Sequence, residues 1–380
     1  MIYFIATLEV AAMKEQLGCL GEDDWSVLTR FFPPGWQEKA RELGALRRCR
    51  GFPDAETLLR TLLIHLGDGC SLKETVARAK HGGLVDVSSV ALFKRLKCSG
   101  EWLRWMACSV MTNWFSKESG DLFGSDLRVR LIDGSNVQEP GSTGSSWKIH
   151  YSVGLPSLLC DEVYVTGPQI GESFKRFKIR RGDLLLGDKQ YAKRPGIAYV
   201  VGCGGDVLVR TNLQSIPFLD ANGTAFPLLD HLRTIRGTQL SDWDVWVEHD
   251  KSLIRGRVCA LRMSKKAREA ARLKTLRERT KKGKVKPETL EAAEYIFVFT
   301  TLPRKFGPTI VLETYRGRWQ VELAFKRLKS IIGLGHLRKV DIDGAKAWLH
   351  GKLLVAFLTE ALIIAGTIFS PWGYALREES

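Results

Sequence analysis

Apolar residues recur at helical spacing through the first third of the chain. Runs with apolar residues three and four positions apart cover residues 36–48, 54–67, 71–80, 88–97 and 100–117. Asp54 and Ser71 stand where N-caps belong, and glycine-containing steps at 67–69 and 81–83 separate neighbouring runs. The pattern predicts a helical region over residues 1–120.

The middle of the chain carries shorter apolar runs, of strand length. Strands are predicted over 127–133, 147–153, 161–167, 183–188 and 206–211, with helices near 171–177 and 191–201. Further strand-like runs at 244–249, 253–262 and 295–301 flank a basic helical segment at about 264–282, and helices follow over 308–333 and 343–366. Strands that alternate with helices predict an α/β protein.

The segment from Tyr315 to Lys329 separates its polar groups from its apolar ones. At about 100° per residue, the polar residues that fall within about 60° of arc on one helical face are Tyr315, Arg318, Glu322 and Lys329. Trp319 and Lys326 border this stripe, and apolar residues gather on the opposite face. One carboxylate among cations and aromatic rings suits a site where a metal ion meets a phosphate backbone.

Two aspartates close predicted strands upstream of this helix. Asp133 ends the run 127–133, and Asp188 ends the apolar run 182–188. Either aspartate alone reads as an ordinary strand-ending turn residue, since Asp-Gly and Gly-Asp steps are common in turns. The order of two strand-ending aspartates followed by a glutamate on a basic helix is more specific than any one of them.

The spacing Y-x2-R-x3-E-x6-K resembles the signature of the DDE transposases of bacterial insertion sequences, in the branch named for its Tyr-Arg-Glu-Lys pattern. All four signature positions match, at Tyr315, Arg318, Glu322 and Lys329. The resemblance implies a ribonuclease-H-like core in which Asp133, Asp188 and Glu322 form a metal-binding acidic triad. It also implies that the first and fourth strands lie side by side.

One local departure follows the second aspartate of the triad. The chain reads Lys189-Gln190-Tyr191, where many relatives carry Arg or a small residue. This departure leaves the assignment of Asp188 unchanged.

This interpretation divides the chain into four parts. A helical DNA-end-binding region spans 1–120, and the first part of the core spans 121–212. A β-rich insertion with a basic arm spans 213–301, and the second part of the core with the C-terminal helices spans 302–380. Asp188 and Glu322 stand 134 positions apart, which is too far for a single crossover and indicates an insertion.

The chemistry implied by the resemblance is phosphodiester hydrolysis and strand transfer. Three carboxylates can hold two Mg²⁺ ions, for which Mn²⁺ can substitute. Ions about 3.5 to 4 Å apart would activate a water or a 3′-hydroxyl and stabilise the leaving oxygen. Tyr315, Arg318, Lys326 and Lys329 would hold DNA phosphates; the alternative is that these side chains only solubilise the helix.

The charge of the chain agrees with a nucleic-acid partner. The sequence has 57 Lys and Arg against 42 Asp and Glu, a net charge of +15. Residues 264–286 contain eleven of these cations and two acids. Lys265, Lys266, Arg268 and Arg272 are candidate phosphate contacts, although such a run can also be a solvated face or a tether.

The helix over 88–97 is a candidate DNA reader. It follows the predicted helices over 54–67 and 71–80 and carries Lys94 and Arg95, so it could enter the major groove as the last helix of a helix-turn-helix. An ordinary helical bundle with solvated cations is equally compatible with the pattern.

Two aromatic residues are candidates for capturing a flipped base at the DNA end. By resemblance, Trp319 would project beside the scissile phosphate, and Tyr295 occupies a place where relatives often carry Trp. Stacking stabilises a base by about 1 to 3 kcal/mol. The alternative is that Tyr295 begins a core strand and Trp319 fills an interface.

These features lead us to expect a cut-and-paste transposase that acts on double-stranded DNA, both element ends and target, as a homodimer assembled on DNA. The eight cysteines lack zinc spacing and suit a reducing cytosol, so we expect a cytoplasmic, nucleoid-associated protein without a membrane partner. The apolar stretch from Leu353 to Phe369 is interpreted as a buried core helix. Two alternatives remain: a catalytically silent, transposase-derived DNA-binding protein, and a different ribonuclease-H-like nuclease.

Overall fold

The computed structural model describes residues 24–115, 127–139, 141, 147–167, 169–280, 285–330, 333–334, 337 and 341–368. The chain forms two compact units. The first consists of residues 1–117, 136–147 and 327–380, and the second consists of 118–135 and 148–326.

Over the described residues 24–115 the N-terminal region is helical, as predicted; the rest of the predicted helical region, 1–23 and 116–120, lies outside the described residues. The helices of the first unit are α1 (Asp24–Thr29), α2 (Trp36–Glu42), α3 (Ala55–Leu66), α4 (Leu72–His81), α5 (Ser89–Cys98), α6 (Gly100–Phe115) and, after the second unit, α13 (Ile342–Ile368). The predicted caps are confirmed: Asp54 Oδ1 accepts from the Thr57 N–H at 2.7 Å, and Ser71 Oγ accepts from the Glu74 N–H at 3.1 Å. The predicted helix over 36–48 ends early, because Gly44 adopts a left-handed conformation with φ of 84°.

The long C-terminal helix α13 is the core helix of this unit. It packs against α6, α5 and α3, and its Leu353, Leu354 and Phe357 are buried. Residues 342–365 are long and apolar enough to cross a membrane, but 67% of its most apolar window is buried inside the protein. Burial of this kind agrees with the predicted core helix.

The second unit is built on a mixed sheet. Within the described residues the sheet has nine strands in the order β3-β2-β1-β4-β5-β9-β8-β7-β6. The strands are β1 (Arg128–Val137), β2 (Trp147–Gly154), β3 (Cys160–Thr166), β4 (Asp183–Gly187), β5 (Asp206–Arg210), β6 (Phe218–Leu219), β7 (Leu240–His249), β8 (Ser252–Arg262) and β9 (Tyr295–Thr300). The pairs β1–β4 and β4–β5 are parallel, so the expectation that the first and fourth strands are neighbours is confirmed.

The insertion extends the sheet of the core. Strand β9 pairs antiparallel with β5 through Val209 and Phe299, and β8, β7 and β6 follow outward from β9. The insertion is therefore rich in strands, as expected, but its strands join the core sheet. The reason is that β5 presents a free edge, which β9 satisfies by backbone hydrogen bonds.

Two predicted helices differ from the helices that the second unit contains. The helices of the second unit are α7 (Arg194–Gly202), α8 (Leu228–Arg233), α9 (Lys265–Thr280), α10 (Pro287–Ala292), α11 (Pro308–Arg316) and α12 (Trp319–Ser330), the last of which runs on into residues assigned to the first unit. The predicted helix over 171–177 is wrong, because only Phe174–Arg176 form a 3-10 turn. Buried Phe174 and Phe177 hold this turn against the sheet, where the core also contains Tyr191 and residues of α7. The predicted single helix over 308–333 is also wrong, and its break lies in the candidate site.

Candidate active site

Asp133 and Asp188 occupy equivalent positions on neighbouring parallel strands. Leu131 of β1 pairs with Leu186 of β4, and each aspartate follows two residues later in its chain. Because β1 and β4 are parallel, the two carboxylates lie side by side near the carboxyl-terminal ends of these strands. They are close enough to interact electrostatically. This arrangement is the one expected for the first two acids of the triad.

Asp133 lies in a partly buried, acidic environment. Its Oδ1 accepts a hydrogen bond from the Gly134 N–H at 2.8 Å. The pKa of Asp133 is raised to about 6, mainly by burial; the carboxylates of Asp188 and Glu172 add to the rise, and the Gly134 hydrogen bond and Arg318 oppose it. A buried acid beside two other acids favours the approach of a cation.

Asp188 ends β4 in a turn that fixes its side chain. Its Oδ1 accepts from the Gln190 N–H at 2.7 Å, and its carbonyl accepts from the Tyr191 N–H at 3.1 Å. Aspartate commonly stabilises such a turn by bonding the backbone two residues ahead. The carboxylate is thereby held at the end of the strand, and it remains partly exposed.

The signature segment bends between its tyrosine and its glutamate. Helix α11 ends at Arg316, α12 begins at Trp319, and Gly317 and Arg318 form the turn between them. The Arg318 N–H donates to the Tyr315 carbonyl at 3.0 Å, a contact three residues back that winds the chain more tightly than an α-helix. A Cβ on Gly317 would stand 3.1 Å from the Thr314 carbonyl oxygen, so this tight turn favours glycine.

Arg318 is the charge that connects the signature residues with the strand ends. Its Nη2 donates to Glu322 Oε1 at 2.6 Å, and it also interacts electrostatically with Tyr315 and Asp133. Burial raises the pKa of Tyr315 to about 12, with Asp188 adding to the rise and Arg318 and Arg210 opposing it. Tyr315 and Arg318 thus lie within electrostatic range of the two aspartates.

Glu322 does not complete a ligand set in this conformation. Among the residues that the structure describes, no three His, Cys, Asp or Glu side chains form a group that could hold a metal ion. The Glu322 side chain is 59% exposed and is paired with Arg318. In this conformation the Glu322 carboxylate is therefore held by Arg318 and is not part of a ligand group with Asp133 and Asp188.

The other residues of α12 lie on its accessible surface. Trp319 is 51% exposed, and Lys326 and Lys329 are exposed. These positions leave the three side chains accessible to a large ligand such as DNA.

Tyr295 has a different environment from that expected for base capture. It is 4% exposed at the start of β9, opposite Arg262 of β8, whose guanidinium lies 5.7 Å from the ring centroid. The ring belongs to the hydrophobic core of the second unit. Its burial favours the alternative that Tyr295 begins a core strand, because a stacking ring must be accessible.

The basic arm has a paired part and an exposed part. Arg268 and Arg272 of α9 contact Glu294 at 3.4 and 3.1 Å. Lys265 and Lys266, at the start of the same helix, are exposed. The lysines therefore remain the better candidates for phosphate contacts.

Two of the cations on the candidate DNA-reading helix α5 are engaged in contacts within the protein. Arg95 donates to the backbone carbonyls of Arg48 and Arg50, and Lys97 contacts Asp341 at 2.7 Å. Lys94 is exposed. Arg95 thus supports the helical unit, and Lys94 is left to face a ligand.

Three residues that lie near the two aspartates were not identified as candidate site residues from the sequence. Glu172 lies beside Asp133, Lys148 contacts Glu172 at 3.1 Å, and buried Tyr191 lies within electrostatic range of Asp133 and Asp188. Tyr191 could have been found as the third residue after Asp188. Glu172 lies in an irregular segment, where no periodic pattern marks it.

Comparison with known proteins gives a consistent result. The family model for the transposase DDE domain matches residues 166–358. The chain is 30% identical over 359 residues to the putative transposase InsL of insertion sequence element IS186A from Escherichia coli K12, covering 92% of this chain and 96% of that protein. It is 30% identical over 360 residues to the transposase of insertion sequence element IS421 from Escherichia coli, with the same shares.

A shorter match covers part of a transposase from another organism. The chain is 33% identical over 107 residues to the transposase of insertion sequence element IS231F from Bacillus thuringiensis subsp. israelensis, covering 28% of this chain and 22% of that protein. The family implies a ribonuclease-H-like core, DNA binding and divalent-metal phosphodiester chemistry. By this family match and these relatives, the chain belongs to the DDE transposases of bacterial insertion sequences.

Proposed function

We propose that the protein is a cut-and-paste transposase of the Tyr-Arg-Glu-Lys branch, which binds the terminal inverted repeats of its element, frees the ends and joins them to target DNA. Asp133, Asp188 and Glu322 are its catalytic carboxylates. The single observation that carries the proposal is the placement of Asp133 and Asp188 on parallel neighbouring strands, with Arg318 of the signature turn interacting with Asp133.

The donor set at this edge of the sheet fits a hard divalent cation. Asp133 and Asp188 offer carboxylate oxygens, which Mg²⁺ and Mn²⁺ prefer, and the hydroxyl of Tyr191 is buried beside them without a hydrogen-bond partner among the described residues. When bound, such ions supply Lewis-acid activation of a water or 3′-hydroxyl and stabilise the leaving oxygen.

Arg318 has two uses in this proposal. In the structure it holds Glu322 through the 2.6 Å hydrogen bond. A DNA phosphate offers the guanidinium a stronger, bidentate partner, so DNA binding exchanges Glu322 for phosphate. Glu322 is then released toward Asp133 and Asp188, and the acidic triad is completed only when substrate is present.

The accessible side chains of α12 and of the basic arm hold the DNA in position. Lys326, Lys329, Lys265 and Lys266 contact phosphates, and Trp319 lies close to the cut strand. Phosphate contacts of this kind fix register and orientation without reading sequence. Lys94 of α5 contacts DNA at the element end, and a homodimer assembled on DNA brings two ends together at the nucleoid.

The decisive experiment is Mg²⁺-dependent cleavage of a supercoiled plasmid that carries the native element ends. Asp133→Asn, Asp188→Asn and Glu322→Gln should each abolish cleavage and leave end binding intact, because each change removes a negative charge from a positively charged protein. Glu288→Gln, an exposed change on α10, is the matched control and should cleave normally. Cleavage that survives Glu322→Gln would contradict the assignment of the triad.

The same assay separates the two alternative functions. A catalytically silent DNA-binding protein would bind the ends without cutting them under any metal condition. A ribonuclease-H-like nuclease of another kind would cut RNA–DNA hybrids or junctions and ignore the element ends.

A further inference from the structure

Glu172 lies directly against the residue that follows the first catalytic aspartate. A Cβ built on Gly134 would stand 2.7 Å from Glu172 Oε1 and 3.0 Å from its Cδ. Glycine at 134 lets this carboxylate lie in its present place, because a Cβ there would make the flexible Glu172 side chain shift. The Asp133-Gly134 step therefore admits a further acid to the site.

Tyr191 approaches the second catalytic aspartate in a similar way. A Cβ on Gly187, just before Asp188, would stand 2.7 Å from Tyr191 Cβ and 3.0 Å from Phe174 Cζ. The Tyr191 side chain is 1% exposed, and among the described residues its hydroxyl finds no hydrogen-bond partner. This hydroxyl lies in the electrostatic field of Glu172, Asp133 and Asp188.

A buried hydroxyl without a partner indicates that the site is built for a further polar group. Buried polar groups in proteins are nearly always satisfied, by protein atoms, by water or by a ligand. A hydroxyl donor within electrostatic range of three carboxylates suits a hydrogen bond to a water molecule of a cation held at Asp133 and Asp188. The hydroxyl is thus an observation independent of the acidic residues themselves.

Lys148 supplies the counter-charge. Its Nζ lies 3.1 Å from Glu172 Oε1, and both side chains are only 16% exposed. Three carboxylates and one ammonium give the cluster of Asp133, Asp188, Glu172 and Lys148 a formal excess of negative charge. Of the other cations in electrostatic range, Arg318 is paired with Glu322, and Arg176 acts on Tyr191. The excess of negative charge attracts a divalent cation to the strand ends.

We propose that Glu172 is a positioning residue of the active site, which strengthens divalent-cation binding at Asp133 and Asp188 through its charge and through Tyr191, and which Lys148 restrains. This inference rests on the proposed function. Outer-shell groups of this kind orient ligands and water, and their loss typically weakens metal binding about 10- to 100-fold.

The direction in which each of two substitutions changes cation affinity distinguishes this role from that of a structural ion pair. Glu172→Gln removes a negative charge and should weaken cation binding, whereas Lys148→Met removes a positive charge and should leave cation binding as tight or tighter. A purely structural pair predicts instead that both substitutions lower stability and leave cation affinity unchanged, or weaken it equally.

The test measures Mn²⁺ binding to the full-length protein without DNA, by electron paramagnetic resonance of the free ion, with thermal melts of each variant. We expect Glu172→Gln to weaken Mn²⁺ binding about 10- to 100-fold, Lys148→Met not to weaken it, and Glu172→Asp to retain most of it. Glu288→Gln controls for the loss of a distant acid. Wild-type affinity in Glu172→Gln, or equal weakening in Glu172→Gln and Lys148→Met, would overturn the inference.

Two further variants keep the outcome interpretable. Asp133→Asn and Asp188→Asn test the proposed metal site itself: if either binds Mn²⁺ like the wild type, the proposed function fails as well. If both lose Mn²⁺ while Glu172→Gln retains it, only the role of Glu172 is wrong. If Glu172→Gln folds poorly, Tyr191→Phe and Lys148→Met provide the test. Weaker Mn²⁺ binding in Tyr191→Phe and not in Lys148→Met supports the inference, and any other pattern opposes it.

Discussion

Arg130 is a buried charge at the start of β1, in the half of the strand that precedes Asp133. Its guanidinium contacts Asp161 at 2.7 Å, Glu162 at 2.7 Å and Asp183 at 3.3 Å, and the arginine is 1% exposed. Together with Arg128, which contacts Asp183 at 2.7 Å, Arg130 neutralises acids from β3 and β4. The three strands are held in register by these contacts as well as by their backbone pairing.

Replacing Arg130 should therefore be costly. Arg130→Met removes the charged partner of Glu162 and leaves Asp161 and Asp183 with Arg128 alone, which should reduce the free energy of unfolding by about 3 to 5 kcal/mol. Urea unfolding measures the effect. Arg255→Met is the matched control, since that side chain is 68% exposed and contacts Asp244 at 3.4 Å; its loss should change stability by less than about 1 kcal/mol. Equal losses would contradict the importance of burial.

Two buried histidines should make the protein sensitive to acid. Burial lowers the pKa of His150 to about 4, with help from Arg176 and Lys148, and burial lowers that of His350 to about 4 despite its Gly100 carbonyl contact. The unfolded chain binds protons near pH 6.5, so the stability that neutral histidine contributes is complete above that pH and is lost as the pH falls toward 4.

The prediction is a falling free energy of unfolding between pH 7 and pH 5, with about 1.4 kcal/mol lost for each unit of pKa difference that is titrated. His350→Gln cannot take up the proton and should lose less stability over this interval than the wild type. Urea unfolding at the two pH values measures both slopes. Identical slopes in the two proteins would show that His350 does not contribute.

At the scale of elements, a buried arginine connects the insertion with the signature helix. Arg257 of β8 is 2% exposed, and it donates to the carbonyls of Leu302 at 3.1 Å and Pro303 at 3.2 Å, and also to that of Phe306. These carbonyls belong to the loop that leads into α11. The position of Tyr315 and Arg318 therefore depends on a strand of the insertion.

Arg257→Lys should weaken the attachment of the loop before α11 to β8. A single ammonium cannot satisfy all of these carbonyls and Asp242, which Arg257 contacts at 2.6 Å, and each unsatisfied buried group costs about 1 to 3 kcal/mol. We expect lower stability and slower cleavage with unchanged end binding. Comparison with Arg255→Lys on the same strand controls for the loss of an exposed guanidinium. Normal cleavage in Arg257→Lys would show that the loop is positioned by other contacts.

The basic helix α9 offers a prediction about salt. Lys265→Gln and Lys266→Gln should each reduce the slope of DNA affinity against salt concentration, uniformly across DNA sequences, by about one unit for every phosphate that the lysine neutralises. Folding should be unaffected, because both side chains are exposed. Glu288→Gln is the control. A slope that does not change would mean that this part of the arm is solvated.

Elements with a strong local pattern could be predicted from the sequence. Strand β4 is predicted closely because its apolar run ends at Asp188, and the helices of the first unit because their caps are local. Strand β1 runs past its predicted end at Asp133 to Val137, because its pairing in the sheet extends beyond the apolar run. The break at Gly317 was missed because the helical pattern continues across it, and tight winding there depends on backbone packing. Glu172 was missed because a loop residue acquires its role only from the strands that it contacts.

At the scale of the whole molecule, the net charge of +15 should govern association with DNA. Affinity should fall steeply as salt rises, and Asp133→Asn should show the same slope as the wild type, because the substitution leaves every phosphate-binding cation in place. Filter binding over a range of salt concentrations measures this slope. A shallower slope in Asp133→Asn would show that the substitution disturbs the DNA-binding surface as well as the chemistry.

The continuity of the sheet limits how the protein can be divided. Because β9 covers the edge of β5, removing residues 213–301 would strip that strand of its partner and leave an open hydrogen-bonding edge. Such an edge recruits strands from other chains, so a truncated core should aggregate instead of remaining as a minimal nuclease. The insertion and the core are thus a single folding unit, and exchange of insertions between relatives requires that β5 and β9 be exchanged together.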